Sequence, residues 1–166
     1  MLVVKAPNAY PVGPRPLIFL AGSIEQGAAE PWQAELEAQL ADLPGVLLNP
    51  RRDEWDAGWR QAADNPQFAE QVNWELAALE QADLIPMYFD PATKSPITLL
   101  ELGLFSSHGK LIVCCPDGYW RKGNVEIVCS RYGEVLVQTR EEFLAAIRRR
   151  VVELQGESLP QRLVEG

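Results

Sequence analysis

The chain has little of the chemistry on which many enzyme sites depend, beginning with histidine. His108 is the single histidine among 166 residues. This argues against a histidine-based catalytic triad and against a metal site built from several histidines. Acid–base chemistry would therefore rest on carboxylates, and we expect neither a metal ion nor a cofactor.

Cysteine is also scarce. The three cysteines, Cys114, Cys115 and Cys129, form neither a CxxC pair nor the pattern of a disulfide scaffold. The first two lie in an apolar run over residues 111–115. We expect all three to be reduced residues in the core of a cytoplasmic protein.

Basic charge and long apolar runs are lacking as well. The formal net charge is -8, which argues against a nucleic-acid partner, because phosphate backbones are bound by clustered lysine and arginine. No apolar run approaches the roughly 18 residues that cross a membrane, and the first residues lack the charged-then-apolar pattern of a secretion signal. We expect a cytoplasmic protein that binds neither nucleic acid nor a membrane.

The chain does have alternating apolar runs and amphipathic segments, over a length that suits one domain. The apolar runs predict strands, and Pro86 lies in one of them although it lacks a hydrogen-bond donor. The strands are predicted at residues 17–21, 46–48, 84–89, 111–115 and 134–137, and the helices at about 31–40, 66–81, 96–109, 124–130 and 140–153. This alternation predicts an α/β fold, a doubly wound five-stranded parallel sheet in a single domain.

The two ends and the longest connection lie outside this alternation. Residues 1–16 contain four prolines and are predicted to form an extended arm rather than a regular element. The main domain is expected over residues 17–156, and a tail over 157–166. Residues 49–65 show no sustained periodicity and are predicted to form a long loop, which in compact domains is usually functional.

The carboxyl ends of parallel strands form the crevice where such folds bind ligands. The loops predicted there carry side chains that suit a polar ligand with hydroxyl groups, namely Ser23, Arg51, Arg52, Asp53, Asp56, Asp90, Ser95 and Asn124. The loop over residues 22–27 is similar to a phosphate-binding loop, but it fits neither GxxxxGK[ST] nor GxGxxG. A ligand role for it and a structural role as a tight turn are equally open.

Glu101 is our candidate nucleophile. It lies in the mainly apolar stretch 95–103, six residues after Ser95, and Ser95 with Pro96 is typical of a helix start. Its side chain can rise toward the helix N-terminus, where the dipole favours the ionised form that a nucleophile requires. The alternative is a half-exposed helix glutamate or one paired with an arginine, and spacing alone slightly favours that alternative.

Glu75 is a second acid, on the preceding predicted helix. If its side chain points into the same crevice as Glu101, it can assist a leaving base as a general acid. Considered alone, a glutamate at this position is more often a surface residue.

Several segments of the chain resemble the nucleoside 2-deoxyribosyltransferase superfamily, in particular its nucleoside 2-deoxyribosyltransferase-like branch. Their order and spacing match over roughly residues 17–137. The segments are Phe19–Ile24, Asn49–Arg52, Trp74-Glu75, Ala82-Asp83, Ser95–Gly103 and Gly118–Val125. The resemblance implies a flavodoxin-like sheet, and cleavage of an N-glycosidic bond by a glutamate that attacks the anomeric carbon of deoxyribose.

The resemblance also implies roles for individual residues. Glu101 becomes the nucleophile, and Glu75 the acid that contacts the base or its leaving nitrogen. Ser95 falls on a position that is an aspartate in many transferases and a serine in nucleotide hydrolases, and Asp90 on the same loop could supply the missing carboxylate. Asn124 matches an asparagine that a neighbouring subunit delivers to the 5′-hydroxyl.

Further substrate contacts are expected from Ser23, Arg52 and Asp53. The family has an aromatic residue near the first strand, and the chain offers no convincing match directly after Ser23. Trp55, Trp59 or Tyr10 could replace that residue.

These expectations leave three functions open. The first is a transferase that exchanges the base of 2′-deoxynucleosides through a covalent deoxyribosyl-glutamate. The second is a deoxynucleoside 5′-monophosphate N-glycosidase, because Ser23, Ser95 and the pair Arg51-Arg52 suit a phosphate. The third is a non-catalytic nucleotide-binding module on the same fold.

The partners expected under the first function are small molecules and further copies of the chain. The small molecules are deoxynucleosides and free nucleobases, as in nucleotide salvage. The further copies would form a homo-oligomer, a dimer or a hexamer, whose active site lies between subunits.

Overall fold

The protein is described from a computed structural model that covers residues 1–11, 13, 16–24, 29–53, 56 and 58–158. Strands and helices alternate along most of it. In chain order the elements are β1 (Leu2–Lys5), β2 (Leu17–Phe19), β3 (Ala21–Gly22), α1 (Trp32–Gln39), β4 (Val46–Asn49), α2 (Pro66–Gln81), β5 (Ile85–Tyr88), α3 (Pro96–Phe105), β6 (Leu111–Cys114), α4 (Lys122–Tyr132), β7 (Val135–Val137) and α5 (Arg140–Ser158).

The strands form two parallel sheets. One has three strands in the order β1-β4-β2, and the other has four in the order β3-β5-β6-β7. Every strand pair in both sheets is parallel. The prediction of a parallel α/β fold is therefore confirmed, whereas the prediction of a single five-stranded sheet is wrong.

Pro86 gives a physical reason for the division. The Leu84 N–H donates to the Leu17 carbonyl at 3.3 Å and the Ile85 N–H to the Lys110 carbonyl at 2.8 Å. Successive nitrogens of this segment thus face opposite neighbours, and the nitrogen of residue 86 faces the chain that carries β2 and β3. Proline has no hydrogen to donate, so the ladder is interrupted there and the predicted strand 17–21 is divided into β2 and β3.

The N-terminal residues contain a strand that the sequence pattern did not predict. β1 pairs with β4 over four residues, from Leu2 opposite Val46 to Lys5 opposite Asn49. The prolines begin only at Pro7, so they do not interfere with this pairing at the edge of the sheet. Residues 1–16 are therefore not an arm without regular structure. Of the predicted tail over residues 157–166, the first two residues belong to α5, and the rest lies outside the described residues.

The predicted helices are all present. α2 has the predicted bounds, because the Asn65 side chain caps it by accepting the Gln67 N–H at 3.2 Å and a proline occupies its first position. α3 begins as predicted but ends at Phe105, before Gly109. The loop that follows β4 has no helix or strand among its described residues before Pro66, as predicted.

Two buried apolar clusters cover the faces of the sheets. The side chain of Phe19 belongs to one cluster, with residues of α2, α3 and α4, and those of Ile18 and Leu20 belong to the other, with residues of α1 and α5. This division follows from the alternation of side chains along a strand. The three cysteines are buried and free, as predicted. Within the described part of the chain, no helix has the length and apolarity required to cross a membrane.

Candidate active site

The site is built at the carboxyl ends of β3 and β5. Gly22 ends β3 with φ of 140°, and a Cβ at this position would overlap the backbone oxygen of Tyr88. Glycine is therefore required where β3 passes this close to the end of β5. The next residue, Ser23, is thereby placed beside the loop that connects β5 to α3.

Three buried hydroxyl groups meet at this point. The Ser23 hydroxyl forms a hydrogen bond with the Ser95 hydroxyl, and the Thr93 Oγ1 lies 3.0 Å from Ser23 Oγ and 2.7 Å from Ser95 Oγ. The Asp90 N–H donates to Ser23 Oγ at 2.9 Å. The side chains of Ser23, Ser95 and Thr93, which we call the hydroxyl network, therefore join the loop after β3 to the loop after β5.

Asp90 and Ser95 determine the conformation of the β5–α3 loop. The Asp90 carboxylate accepts the Ala92 N–H at 2.9 Å and the Glu30 N–H at 3.4 Å. Ser95 has φ of 46°, in the left-handed region, and its hydroxyl does not cap α3. Ser95 thus occupies the N-cap position of the predicted helix start, but its hydroxyl bonds within the hydroxyl network and not to the first turn of α3.

Glu101 lies in the second turn of α3, which packs against β3. The residue is 8% exposed, and none of the described residues forms a hydrogen bond with its carboxyl. Burial, together with the charge of Glu75, raises the pKa of Glu101 to about 8. The alternative of a half-exposed or arginine-paired glutamate, which spacing alone favoured, is therefore wrong.

Glu75 reaches the same region from α2. Its side chain is partly buried, and burial raises its pKa although a hydrogen bond from Gln71 acts in the opposite direction. Gln71 Nε2 donates to Glu75 Oε1 at 2.8 Å and to the Pro50 carbonyl at 2.9 Å. Glu75 is therefore not the freely solvated surface glutamate that the sequence alone favoured.

The two acids form a coupled pair of carboxyls with raised pKa values. Neighbouring carboxyls with raised pKa values retain protons at higher pH than solvated acids do, and they titrate as a coupled pair. Such a pair can present one ionised and one protonated carboxyl to a bound molecule. The arrangement suits chemistry in which one group attacks and the other donates a proton.

The Arg51 guanidinium forms hydrogen bonds with other groups of the protein. Its Nε donates to Gln33 Oε1 at 2.8 Å, and a terminal nitrogen donates to the carbonyls of Ala29 and Glu30 at 3.2 and 3.1 Å. Its guanidinium thus ties the start of the long loop to the chain before α1.

Arg52 and Asp53 also have partners outside the acid pair and the hydroxyl network. Arg52 pairs with Glu70 on α2 at 2.9 Å, and its guanidinium lies 5.2 Å from the ring centre of Trp59. Asp53 pairs with Lys5 at the end of β1 at 2.5 Å.

For two further predicted residues, Asn124 and Tyr10, the described part of the chain shows no hydrogen bond to either acid. Asn124 is exposed in the first turn of α4. Tyr10 packs edge-on against Trp74, with ring centres 5.8 Å apart, and Trp74 Nε1 donates to the Asn8 carbonyl at 2.9 Å. Trp55 lies outside the described residues.

Sequence reasoning missed two residues of the site, Thr93 and Gln71. Thr93 lies inside the predicted loop, two residues before Ser95, which is a weak signal. Gln71 precedes Glu75 by four residues, the spacing at which side chains on a helix meet, so this contact could have been found. Over the part of the chain that the structure describes, no group of three or more His, Cys, Asp or Glu side chains could hold a metal ion.

Comparison with known proteins gives the chain a family and a fold. No curated protein matches it. Among solved structures it is similar to a conserved protein from Enterococcus faecalis V583, with a TM-score of 0.61 and 15% identity, covering 82% of this chain and 99% of the other. At this identity the likeness supports the fold alone. A family model, described as "nucleoside 2-deoxyribosyltransferase like", matches residues 15–119. This match spans more than half of the sequence and includes Glu75 and Glu101, and the chain therefore belongs to the nucleoside 2-deoxyribosyltransferase-like family.

Proposed function

We propose that this protein is a nucleoside 2-deoxyribosyltransferase, which exchanges the base of a 2′-deoxynucleoside through a covalent deoxyribosyl ester of Glu101. The observation that carries the proposal is the pair of acids. Glu101 is buried at 8% exposure and has a pKa raised to about 8 by burial and by the charge of Glu75. A buried carboxyl that receives no hydrogen bond from the described residues costs stability, and a role in chemistry accounts for its presence.

The first half of the reaction needs both acids. In the free protein the raised pKa of Glu101 leaves its carboxyl protonated at neutral pH, so in this mechanism the proton of the pair passes to Glu75 when the substrate binds. Ionised Glu101 then attacks C1′ of the deoxyribose, a bond forms between its oxygen and C1′, and the bond from C1′ to the base nitrogen breaks. The electron pair of that bond goes to the base nitrogen, which receives a proton from Glu75. The products are a glycosyl ester on Glu101, an ionised Glu75 and a neutral free base.

The second half reverses these steps with another base. A nitrogen of the incoming base attacks C1′, the ester bond to Glu101 breaks, and the proton of that nitrogen goes to Glu75. Both carboxyls return to their starting states, so the exchange consumes no further reactant. Two displacements at C1′ retain its configuration.

The pairing of the arginines favours a nucleoside over a 5′-monophosphate as substrate. The Arg51 guanidinium bonds to Gln33 and to backbone carbonyls, and Arg52 pairs with Glu70. A phosphate would have to compete with these partners for each guanidinium. We therefore prefer the nucleoside, with Ser23, Asp90 and Ser95 shaping the sugar end of the site.

The test combines a donor and an acceptor. Purified protein is given a 2′-deoxynucleoside with and without a different free base, and the products are separated by chromatography. We expect release of the first base and formation of the new nucleoside, together with a deoxyribosyl adduct in the intact-protein mass that is absent from Glu101→Gln. Base release without any new nucleoside would indicate a hydrolase, and faster release from the 5′-monophosphate would reverse the choice of substrate. Absence of release from both would refute the proposal.

A further inference from the structure

Gln71 is the residue outside the acid pair with the closest connection to it. It lies one turn before Glu75 on α2 and is 3% exposed. The Pro50 carbonyl can only accept a hydrogen bond, so the contact at 2.9 Å requires that the amide nitrogen of Gln71 faces it. The second hydrogen of the same nitrogen then serves Glu75 Oε1 at 2.8 Å.

Burying the Gln71 amide in this orientation costs folding free energy, and packing alone does not explain why the chain does so. Gln71 Oε1 is buried and has no hydrogen-bond partner among the described residues. An amide that left its oxygen in water and its nitrogen on Pro50 would avoid this loss. The buried position instead brings a neutral donor to an acid in a region of low polarity, where a hydrogen bond to a charged group is strongest.

We infer that Gln71 is a positioning residue for the proton donor: its amide fixes Oε1 of Glu75 and stabilises the carboxylate that Glu75 becomes when its proton leaves with the base. This inference rests on the function proposed above. With Oε1 held as an acceptor, the proton is carried on Oε2. The attachment to Pro50 keeps this geometry constant, because it links α2 to the end of β4.

The inference distinguishes Gln71 from a residue that merely supports the fold. A donor to Glu75 makes it a stronger acid, so removal of the donor should slow the departure of a poor leaving group more than that of a good one. The effect should also require a carboxyl at residue 75. Neither property is expected of a packing defect in α2.

The experiment compares Gln71→Met with Gln67→Met, a control on the exposed part of the same helix. Each change is made in the wild-type chain and in Glu75→Gln, and kcat/KM for base release is measured with a series of deoxynucleosides. In the wild-type chain we expect Gln71→Met to lower kcat/KM by about 10- to 100-fold, most for the poorest leaving bases, and Gln67→Met to have little effect. In the Glu75→Gln chain, adding Gln71→Met should lower kcat/KM little further.

The outcomes separate the two proposals. Unchanged kcat/KM in Gln71→Met, or an equal loss with and without the Glu75 carboxyl, would overturn the role of Gln71 and leave the transferase intact. If the wild-type protein releases no base, the transferase proposal fails.

The hydrogen bond between Gln71 and Glu75 is then tested by denaturant unfolding. Gln71→Met should destabilise the wild-type chain more at pH 8 than at pH 4, and it should destabilise the Glu75→Gln chain equally at both pH values. Equal losses of stability at both pH values in the wild-type chain would show that this hydrogen bond does not form. Gln71→Asn, whose amide is one methylene too short for Glu75, replaces Gln71→Met in every arm if that variant does not fold.

Discussion

The buried carboxyl of Glu101 interacts with the charge of Glu75, and burial together with this charge raises the pKa of Glu101 to about 8. The two residues come from successive helices, α2 and α3, which follow β4 and β5 in the chain. Each helix begins beyond the carboxyl end of its strand, so the fold brings two acids that lie 26 positions apart in the sequence to one region. This relationship is the basis of the proposed chemistry and of the first three predictions.

Replacing the proposed nucleophile should abolish turnover and preserve binding. In Glu101→Gln the side chain keeps its size but cannot form the glycosyl ester, so we expect base release to fall by about 1,000-fold or more. Glu80→Gln, an exposed change on α2, serves as the control. Base release would be followed by chromatography and nucleoside binding by calorimetry. Turnover near the wild-type rate in Glu101→Gln would exclude Glu101 as the nucleophile.

The same carboxyl should make stability depend on pH. The unfolded chain releases the Glu101 proton near the ordinary value of 4.5, whereas the folded chain holds it until about pH 8. The folded state therefore binds more protons than the unfolded state between these pH values. The stability that the protonated Glu101 carboxyl contributes is complete below about pH 4.5 and is lost as the pH rises toward 8. Glu101→Gln removes this loss.

Relative to the wild-type chain, we expect Glu101→Gln to gain on the order of a few kcal/mol between pH 4 and pH 8. Urea unfolding at a series of pH values measures the difference. A constant difference across that range would contradict the raised pKa.

Glu75→Gln should lower the pKa of Glu101. The change removes the neighbouring negative charge and keeps the shape of the side chain, so the ionised form of Glu101 becomes less costly. Burial, the larger cause of the shift, remains, and the pKa of Glu101 should stay above its ordinary value. A carbon-13 label on the glutamate side chains allows this titration to be followed by NMR, with Glu70→Gln as the control. If the Glu101 titration does not move, the two acids are not coupled.

The sequence predicted the helices and the parallel pairing well, because their signals are local. The run from Pro66 to Gln81 carries a cap, a proline at the first position and a regular apolar stripe, and the structure has those bounds. The division of the sheet depends on which neighbour the nitrogen of Pro86 faces, a tertiary property that periodicity does not contain. The strand at Leu2–Lys5 was missed because the prolines that follow it dominated the composition.

At the candidate site the sequence predicted residue types better than their surroundings. The serines at 23 and 95 were identified, but the bonding of their hydroxyls to one another depends on Thr93 and on a left-handed backbone at Ser95. The arginines at 51 and 52 suited a phosphate in sequence, and the structure pairs both with protein groups. These hydrogen bonds and ion pairs join segments that are distant in the sequence, and residue spacing carries little information about which distant groups will pair.

The hydroxyl network should contribute to stability through Thr93. Thr93→Val keeps the shape of the side chain but removes its hydroxyl, which leaves the buried hydroxyls of Ser23 and Ser95 with one partner fewer. We expect a loss of about 1–3 kcal/mol in the free energy of unfolding, and a smaller loss for Thr93→Ser, which keeps the hydroxyl. Denaturant titration of both variants measures this difference. Equal losses would mean that the methyl group, and not the hydroxyl, is what matters at this position.

The exposed surface of α3 and α4 motivates a prediction about assembly. Ile97, Leu100 and Ile127 are 60%, 58% and 71% exposed, and Asn124 lies on the same helix as Ile127. We propose that a second copy of the chain covers this surface and that Asn124 serves the site of the neighbouring subunit. Exposed apolar side chains on two helices that contact each other are typical of a subunit interface. Leu100→Asp should then reduce the apparent mass in sedimentation, whereas a monomeric wild-type chain would contradict the proposal.

A shared site can be tested by mixing two inactive variants. If Asn124 acts across the interface, a dimer that combines Glu101→Gln with Asn124→Ala has one site with both defects and one with none. Random pairing would restore about a quarter of the wild-type sites. A mixture of Glu101→Gln with Glu75→Gln should restore none, because both acids of a site come from the same chain. Recovery of base release in the first co-expressed pair alone would establish the intersubunit site, and equal activity in both mixtures would refute it.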